Sequence, residues 1–358
     1  MADHCTRQEI MPWDNVPCHP HVSKIITRAI QRGHFGRTSL VFGPPGAGQG
    51  GVALAITMTF VCKKAENDFC GTCPECKRIQ DGVYPDVIEM HPWEDWSKGK
   101  SNEKDKEAPG KRQPRKKKQY SVDHMRAVME HALHLPYEGD LKFYIIHDAH
   151  SMNVHSSNSL LKILEEPHPH TRFILLTDQA AGILPTIRSR CWGIRLLPLE
   201  ISNLARSLQP GLSEEKAATI ARAAGGLPDQ ASQLMEKDYL DRRDQVFDLL
   251  LEIKKRESAV IESAESIAKH ANDLEESLPI LLRIVRDGVV VASQGDPSHY
   301  ENQDRKEDLS ILWKDASMEK LIGSTKSILA ALEDRERFVN PSILMMDLFL
   351  QLRESMRG

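Results

Sequence analysis

Four thiols crowd one short stretch of this chain. Cys62, Cys70, Cys73 and Cys76 lie in "CKKAENDFCGTCPEC" with the spacing C-x7-C-x2-C-x2-C. Two C-x2-C steps that share a cysteine, with one thiol upstream, supply the ligand set of a tetrahedral Zn²⁺. With sulfur at all four positions no open position remains for chemistry, so the expected role is structural. Four unligated thiols or an iron–sulfur cluster are the alternatives. The chain has seven cysteines, and their clustering suits a reducing compartment and a metal better than a disulfide framework.

A second constellation is "GPPGAGQGG", Gly43 to Gly51, between an apolar run ending at Phe42 and a helical stretch from Val52. A phosphate-binding loop needs glycines that bend the chain so that backbone N–H groups surround the phosphates. It then needs a Lys on the β- and γ-phosphates and a Ser or Thr on magnesium. Gly43, Gly46 and Gly48 keep the loop's shape, but Gln49 stands at the Lys position and Gly50 at the hydroxyl position. Weak nucleotide binding or none is expected, and a bare strand-to-helix turn is preferred to a nucleotide site. Downstream, "FYIIHDAHSMN" (Phe143–Asn153) is where a Walker B element belongs, with an Asp for Mg²⁺ and a neighbouring acid to orient water. His147 and Asp148 occupy those positions, and an imidazole is a poor ligand for an ion that prefers hard oxygen. Two damaged elements in one chain argue against hydrolysis. A third motif, "ILPTIRSRC" (Ile183–Cys191), sets Arg188 and Arg190 two residues apart after a Pro-Thr turn. By itself this is either a solvated helix end or a functional pair.

The elements that must hold these residues alternate in kind. Apolar runs at Ser39–Phe42, Asp86–Met90, Phe143–His147 and Phe173–Thr177 suit strands buried on both faces of a parallel sheet. Helical stretches between them predict a doubly wound α/β domain over 1–197. From Pro198 to Tyr239 the pattern is short and helical, with Ser213 as an N-cap and Gly225–Gly226 as a stop. Over 240–358, helices are predicted at Arg242–Glu257, Ser277–Ala292 and Asn340–Met356. The segment Ser97–Gln119 carries ten Lys and Arg against three acids and no large aliphatic residue. It is expected to be a disordered basic loop, either a plain solvated insertion or an arm that meets phosphates.

Composition sets outer limits. The chain has 358 residues, 27% of them charged, and a formal net charge of −4. That excludes a globally basic nucleic-acid binder, though not a local patch. No apolar run approaches the ~18 residues of a membrane span, and Met1–Pro12 has no apolar core of a secretory signal. No membrane partner is expected, and a cytoplasmic location is.

Together these residues resemble a known family. "NSLLKILEEP" (Asn158–Pro167) followed by "ILPTIRSRC" looks like the paired signature of the bacterial AAA+ clamp loaders of DNA polymerase III. The four-cysteine insertion after a P-loop helix is similar to that family's zinc module, residues 62–76, and "RFVNPSILMMDLFLQL" (Arg337–Leu352) resembles the last helix of its collar. The first cysteine gap, x7 where x8 is usual, and the length of the basic loop 97–119 depart from the pattern. The resemblance implies an AAA+ P-loop α/β domain with a zinc module over 1–197. It further implies a small helical lid over 198–239 and an all-α collar over 240–358. Within the family the tau/gamma branch keeps the catalytic residues and hydrolyses ATP, whereas the delta-prime branch has typically lost them. Gln49, Gly50 and His147 resemble the latter, and Pro228 stands where ATPase members carry a sensor-2 Arg. The implied function is a non-catalytic subunit, not binding ATP itself, in a hetero-pentameric ring with tau/gamma and delta that loads the sliding clamp onto primed DNA. Arg190 would be the arginine finger that completes a neighbour's ATP site. The alternative is a tau/gamma-type or other AAA+ replication or repair ATPase, which would need Gln49 and His147 as functional replacements.

Overall fold

Five short parallel strands make one sheet: β1 Thr38–Phe42, β2 Val87–Met90, β3 Lys142–Ile146, β4 Thr171–Thr177 and β5 Trp192–Arg195, in the order β2-β3-β4-β1-β5. The computed structural model describes residues 13, 16–17, 20–92, 119–267, 271–333 and 341–357. Most of the basic loop, and 337–340 of the collar signature, lie outside them. Every residue of β3 and six of seven in β4 are buried, as expected where helices cover both faces. On one face, Val41, Phe143, Ile145 and Ile174 pack against Val52, Ala53, Ile56 and the rest of α2 (Gln49–Val61). On the other, Leu40, Tyr144, Ile146 and Phe173 pack with α4 (Val122–Ala132) and α5 (Val154–Glu165). Each such side chain contributes about 1.5–3 kcal/mol by leaving water. α2 is apolar almost all round, the pattern of a helix enclosed by its own domain.

The four predicted strands are present, with ends shifted by one or two residues. β5 was not predicted. Only Ile194 of its four residues is buried and a glycine sits at its centre, so an edge strand here has almost no apolar signature. The remaining helices of this region are α1 Pro20–Gln31, α3 Pro74–Gln80 and α6 Pro185–Arg188.

Polar residues fix the joints. Buried Asp86 accepts backbone N–H bonds from Tyr137, Glu138 and Gly139 at 2.6, 2.8 and 2.9 Å, which orders the turn before β3. Buried Lys142 donates to the carbonyls of His131 and His134 at the end of α4, where a cation suits the helix dipole. Burial nevertheless pulls its ammonium pKa down.

The chain divides into two compact units, Met1–Asn203 with Leu227–Asp229, and Leu204–Gly226 with Gln230–Gly358. The boundaries at 197 and 239 are carried forward as a proposed subdivision. Beyond β5 the described helices are α7 Ile201–Leu208, α8 Glu214–Ala223, α9 Pro228–Glu236, α10 Tyr239–Lys255, α11 Ala259–Ile267, α12 Ala271–Ala292, α13 Lys306–Trp313, α14 Met318–Glu333 and α15 Pro341–Ser355. Ser213 caps α8 through the Lys216 N–H, and Gly225 and Gly226 follow α8 with φ of 60° and 78°. The second unit's core gathers Phe247, Leu250, Ile284, Trp313, Ile328 and Phe349. Gly288 lets α12 approach Trp313, since a Cβ there would meet the ring at 2.8 Å. Buried Arg243 grips Asp304 through two contacts of 2.9 and 2.6 Å. No described helix is long and apolar enough to cross a membrane.

Candidate functional site

The glycine loop joins β1 to α2. A Cβ at Gly43 would lie 2.6 Å from the Leu196 carbonyl, so only glycine lets the chain after β5 pass there. Gly46 and Gly48 have φ of 83° and 86°, the left-handed conformation that glycine takes at no steric cost. Gly43, Gly46, Gly48 and Gln49 are therefore brought together as the motif requires. Two side chains of the chain itself meet the loop. Gln49 is buried, and its Nε2 donates to the carbonyls of Gly43 at 3.1 Å and Pro44 at 2.9 Å. A neutral amide, satisfied by the loop itself, stands where the phosphate-binding cation belongs. The Gly48 N–H donates to Asp229 Oδ2 at 3.3 Å, while the Asp229 N–H donates to the Gly46 carbonyl at 3.1 Å. The chain thus sets its own carboxylate against the loop.

His147 follows β3 and comes beside the loop: a Cβ at Gly50 would lie 3.9 Å from its Cε1. Its Nε2 is 3.1 Å from Glu89 Oε2, and its ring stacks on His91 with centroids 4.1 Å apart. Sequence reasoning singled out His147 only as a lost magnesium ligand and missed Glu89 and His91. The signal was present as Glu-x-His at the end of one strand and His at the end of its neighbour.

The four cysteines converge. Their Sγ atoms all lie within 4.8 Å of one another. A tetrahedron of Zn–S bonds of about 2.3 Å has edges of about 3.8 Å, so the set fits a metal ion after small adjustments. Cys62 ends α2, Gly71 takes a positive φ of 68°, and Cys73 caps α3 with Pro74 behind it. Backbone N–H groups already face the sulfurs: Cys70 to Cys62 Sγ at 3.4 Å, Cys73 to Cys70 Sγ at 3.2 Å, and Cys76 to Cys73 Sγ at 3.4 Å. Such bonds favour thiolates. At Cys70 burial opposes ionisation, but hydrogen bonds from Thr72, Cys73 and Cys62 outweigh it and lower the thiol pKa to about 6. At Cys76 burial wins and pushes the thiol up; a bound cation would reverse that preference. Phe69, Cys73, Cys76 and Ile79 are part of the domain core, and Trp13 meets Phe69 edge-on at 6.0 Å. The module is thereby tied to the sheet.

Arg190 lies apart from the loop. Asn153 caps α5 by accepting the Ser156 N–H, and α5 carries the first signature to Glu165. Pro185 starts α6, and the turn after it delivers Arg190. The guanidinium meets Glu165 Oε1 at 2.6 Å and donates to the Thr186 carbonyl at 2.9 Å. Arg188 donates to the Ala180 carbonyl at 3.5 Å. Arg190 is exposed in a groove bounded by Arg37, Glu166 and Trp192.

A family model described as DNA polymerase III, delta subunit, matches residues 18–200, and one described as its C-terminal part matches 237–354. The DNA polymerase III subunit delta' of Bacillus subtilis is 26% identical over 343 residues, covering 94% of this chain and 96% of that protein. The delta' subunit of Pseudomonas aeruginosa is 28% identical over 241 residues, 66% of each chain. The tau subunit of Escherichia coli is 27% identical over 226 residues, which span 63% of this chain and 31% of tau.

Proposed function

This chain belongs to the delta-subunit family of DNA polymerase III, and from that premise we propose that it is the non-hydrolysing delta-prime member of a clamp loader. In this reading it joins tau/gamma and delta subunits in a five-membered ring in the cytoplasm. The ring opens the sliding clamp and places it on primed DNA. One observation carries the reading: the glycine loop keeps its fold while Gln49 and Asp229 occupy it from within. A neutral amide cannot offset phosphate charge, Gly50 offers no hydroxyl to magnesium, and His147 offers nitrogen where that ion takes oxygen. The chain's contribution to hydrolysis is then in trans. Arg190 presents a planar, permanently charged donor fork matched to phosphoryl oxygens, and it completes the ATP site of a tau/gamma neighbour. Cys62, Cys70, Cys73 and Cys76 hold a structural Zn²⁺ that fixes the loop between α2 and α3.

Two measurements test this. The isolated chain should show neither ATP hydrolysis above background nor saturable ATP binding at physiological nucleotide concentration. A ring reconstituted with tau/gamma, delta and this chain should load clamps on primed DNA, and omission of this chain should abolish loading. Steady turnover by the isolated chain that disappears in Gln49→Ala would overturn the reading.

A further inference from the structure

Glu89, His91 and His147 lie together as a direct consequence of strand register. Met90 of β2 pairs with Ile146 of β3, so His91 and His147 leave the two strand ends side by side. Glu89, two residues before His91, falls on the same face by the period of the strand. One ligand atom from each of the three lies within 4.8 Å of the others. The Tyr120 hydroxyl is 2.7 Å from the Met90 carbonyl and 2.8 Å from the His147 carbonyl. It therefore braces both strand ends, and a site carried by braced strands needs little reorganisation to accept a ligand.

The geometry points to a second metal site here, distinct from the four-cysteine module: a borderline divalent transition-metal ion held by Glu89, His91 and His147. Two imidazole nitrogens and one carboxylate oxygen are a ligand set for Zn²⁺ or a neighbouring first-row ion and not for Mg²⁺. Bonds of about 2.0–2.1 Å in a tetrahedron set adjacent ligand atoms about 3.3 Å apart. His147 Nε2 and Glu89 Oε2, at 3.1 Å, already stand at that spacing. His147 binds the ion through Nε2 as the neutral Nδ1–H tautomer and Glu89 binds it as the carboxylate, and any proton displaced from Nε2 passes to solvent. Water completes the fourth position. The ion ties the end of β2 to the end of β3 beside the glycine loop. This inference rests on residues of this chain alone, so its failure would leave the clamp-loader reading intact.

Metal stoichiometry tests it on the full chain, stripped with a chelator under reducing conditions and titrated with Zn²⁺ and, separately, Co²⁺. Wild-type protein should take up two equivalents. The first should show the intense thiolate-to-Co²⁺ charge-transfer band of a four-sulfur site, and the second should lack it. Glu89→Gln, His91→Gln and His147→Gln should each weaken the second equivalent by about 100-fold or more and leave the first unchanged. Cys76→Ser should do the reverse. Glu89→Gln keeps the size and a hydrogen bond of the original side chain, and far-ultraviolet circular dichroism checks that each variant is folded. A wild-type chain that takes up one equivalent, and that one with the thiolate band, overturns the proposal without reference to any variant. So does a second equivalent that all three substitutions leave in place.

Discussion

Replacing Arg190 by alanine removes a guanidinium whose present partners set the scale for what it can do elsewhere. In this chain it pairs with Glu165 at 2.6 Å, with the two side chains 36% and 47% exposed. At that exposure solvent screening leaves the pair less than about 1 kcal/mol, so detaching Arg190 costs at most about a factor of five. A finger acting in trans contributes about 10³–10⁵ in rate, or about 4–7 kcal/mol at 1.36 kcal/mol per tenfold. The second quantity exceeds the first several-fold, so Glu165 positions the side chain without holding it back. In a ring reconstituted with Arg190→Ala, hydrolysis should fail at the one site this residue completes. Total clamp- and DNA-stimulated ATPase should therefore fall in part, and clamp loading should slow. Arg190→Lys should restore little, because a point charge lacks the fork. Glu165→Gln should change the rate by no more than about five-fold, and Arg188→Ala should matter less than Arg190→Ala. The assay is phosphate release together with fluorescent clamp loading at limiting ATP, with ring assembly verified by gel filtration. An assembled Arg190→Ala ring that loads clamps at the wild-type rate would refute the trans role and leave the chain a scaffold.

Three further outcomes are expected. Cys76→Ser or exhaustive chelation should remove one zinc equivalent, lower the melting temperature and shift tryptophan fluorescence, since Trp13 packs on Phe69 of the module; fewer than about 0.2 zinc per reconstituted wild-type chain would contradict the assignment. Gln49→Lys alone should not create an ATPase, because Gly50 and His147 still provide no oxygen ligand for magnesium; measurable turnover in that variant would show that one residue silences the site. Arg243→Ala should remove a buried guanidinium and its two charge-assisted bonds to Asp304, whose side chain is 18% exposed, and cost about 1.5–3 kcal/mol in urea unfolding, whereas a loss below about 1 kcal/mol would mean that the pair in the second unit is not structurally decisive.

What the sequence discloses and what it hides divide along a physical line. Four cysteines within fifteen residues announce themselves because their spacing is the geometry: turns of two residues bring the thiols together whatever the rest of the fold does. Strands β1, β3 and β4 are equally legible, since burial on both faces writes itself as an apolar run, and β2 is legible although only Ile88 and Met90 of its four residues are buried. β5 escapes because an edge strand with one buried residue writes almost nothing. The contacts that decide the glycine loop's chemistry are of a different kind. Asp229 returns to Gly48 across 181 positions, and no local pattern marks that contact. Arg190 was singled out through resemblance, but its pairing with Glu165 depends on how α5 and the turn after α6 are set against each other. The Glu89, His91 and His147 cluster depends on register, because slipping β3 by one residue against β2 would send His147 to the opposite face. Its ligands are separated by 58 positions between Glu89 and His147, and only the alignment of Met90 with Ile146 makes them neighbours. Chemistry encoded by spacing is visible in the chain. Chemistry encoded by strand pairing becomes visible only when the sheet is known, and in this protein that second kind lies at the strand ends beside the glycine loop.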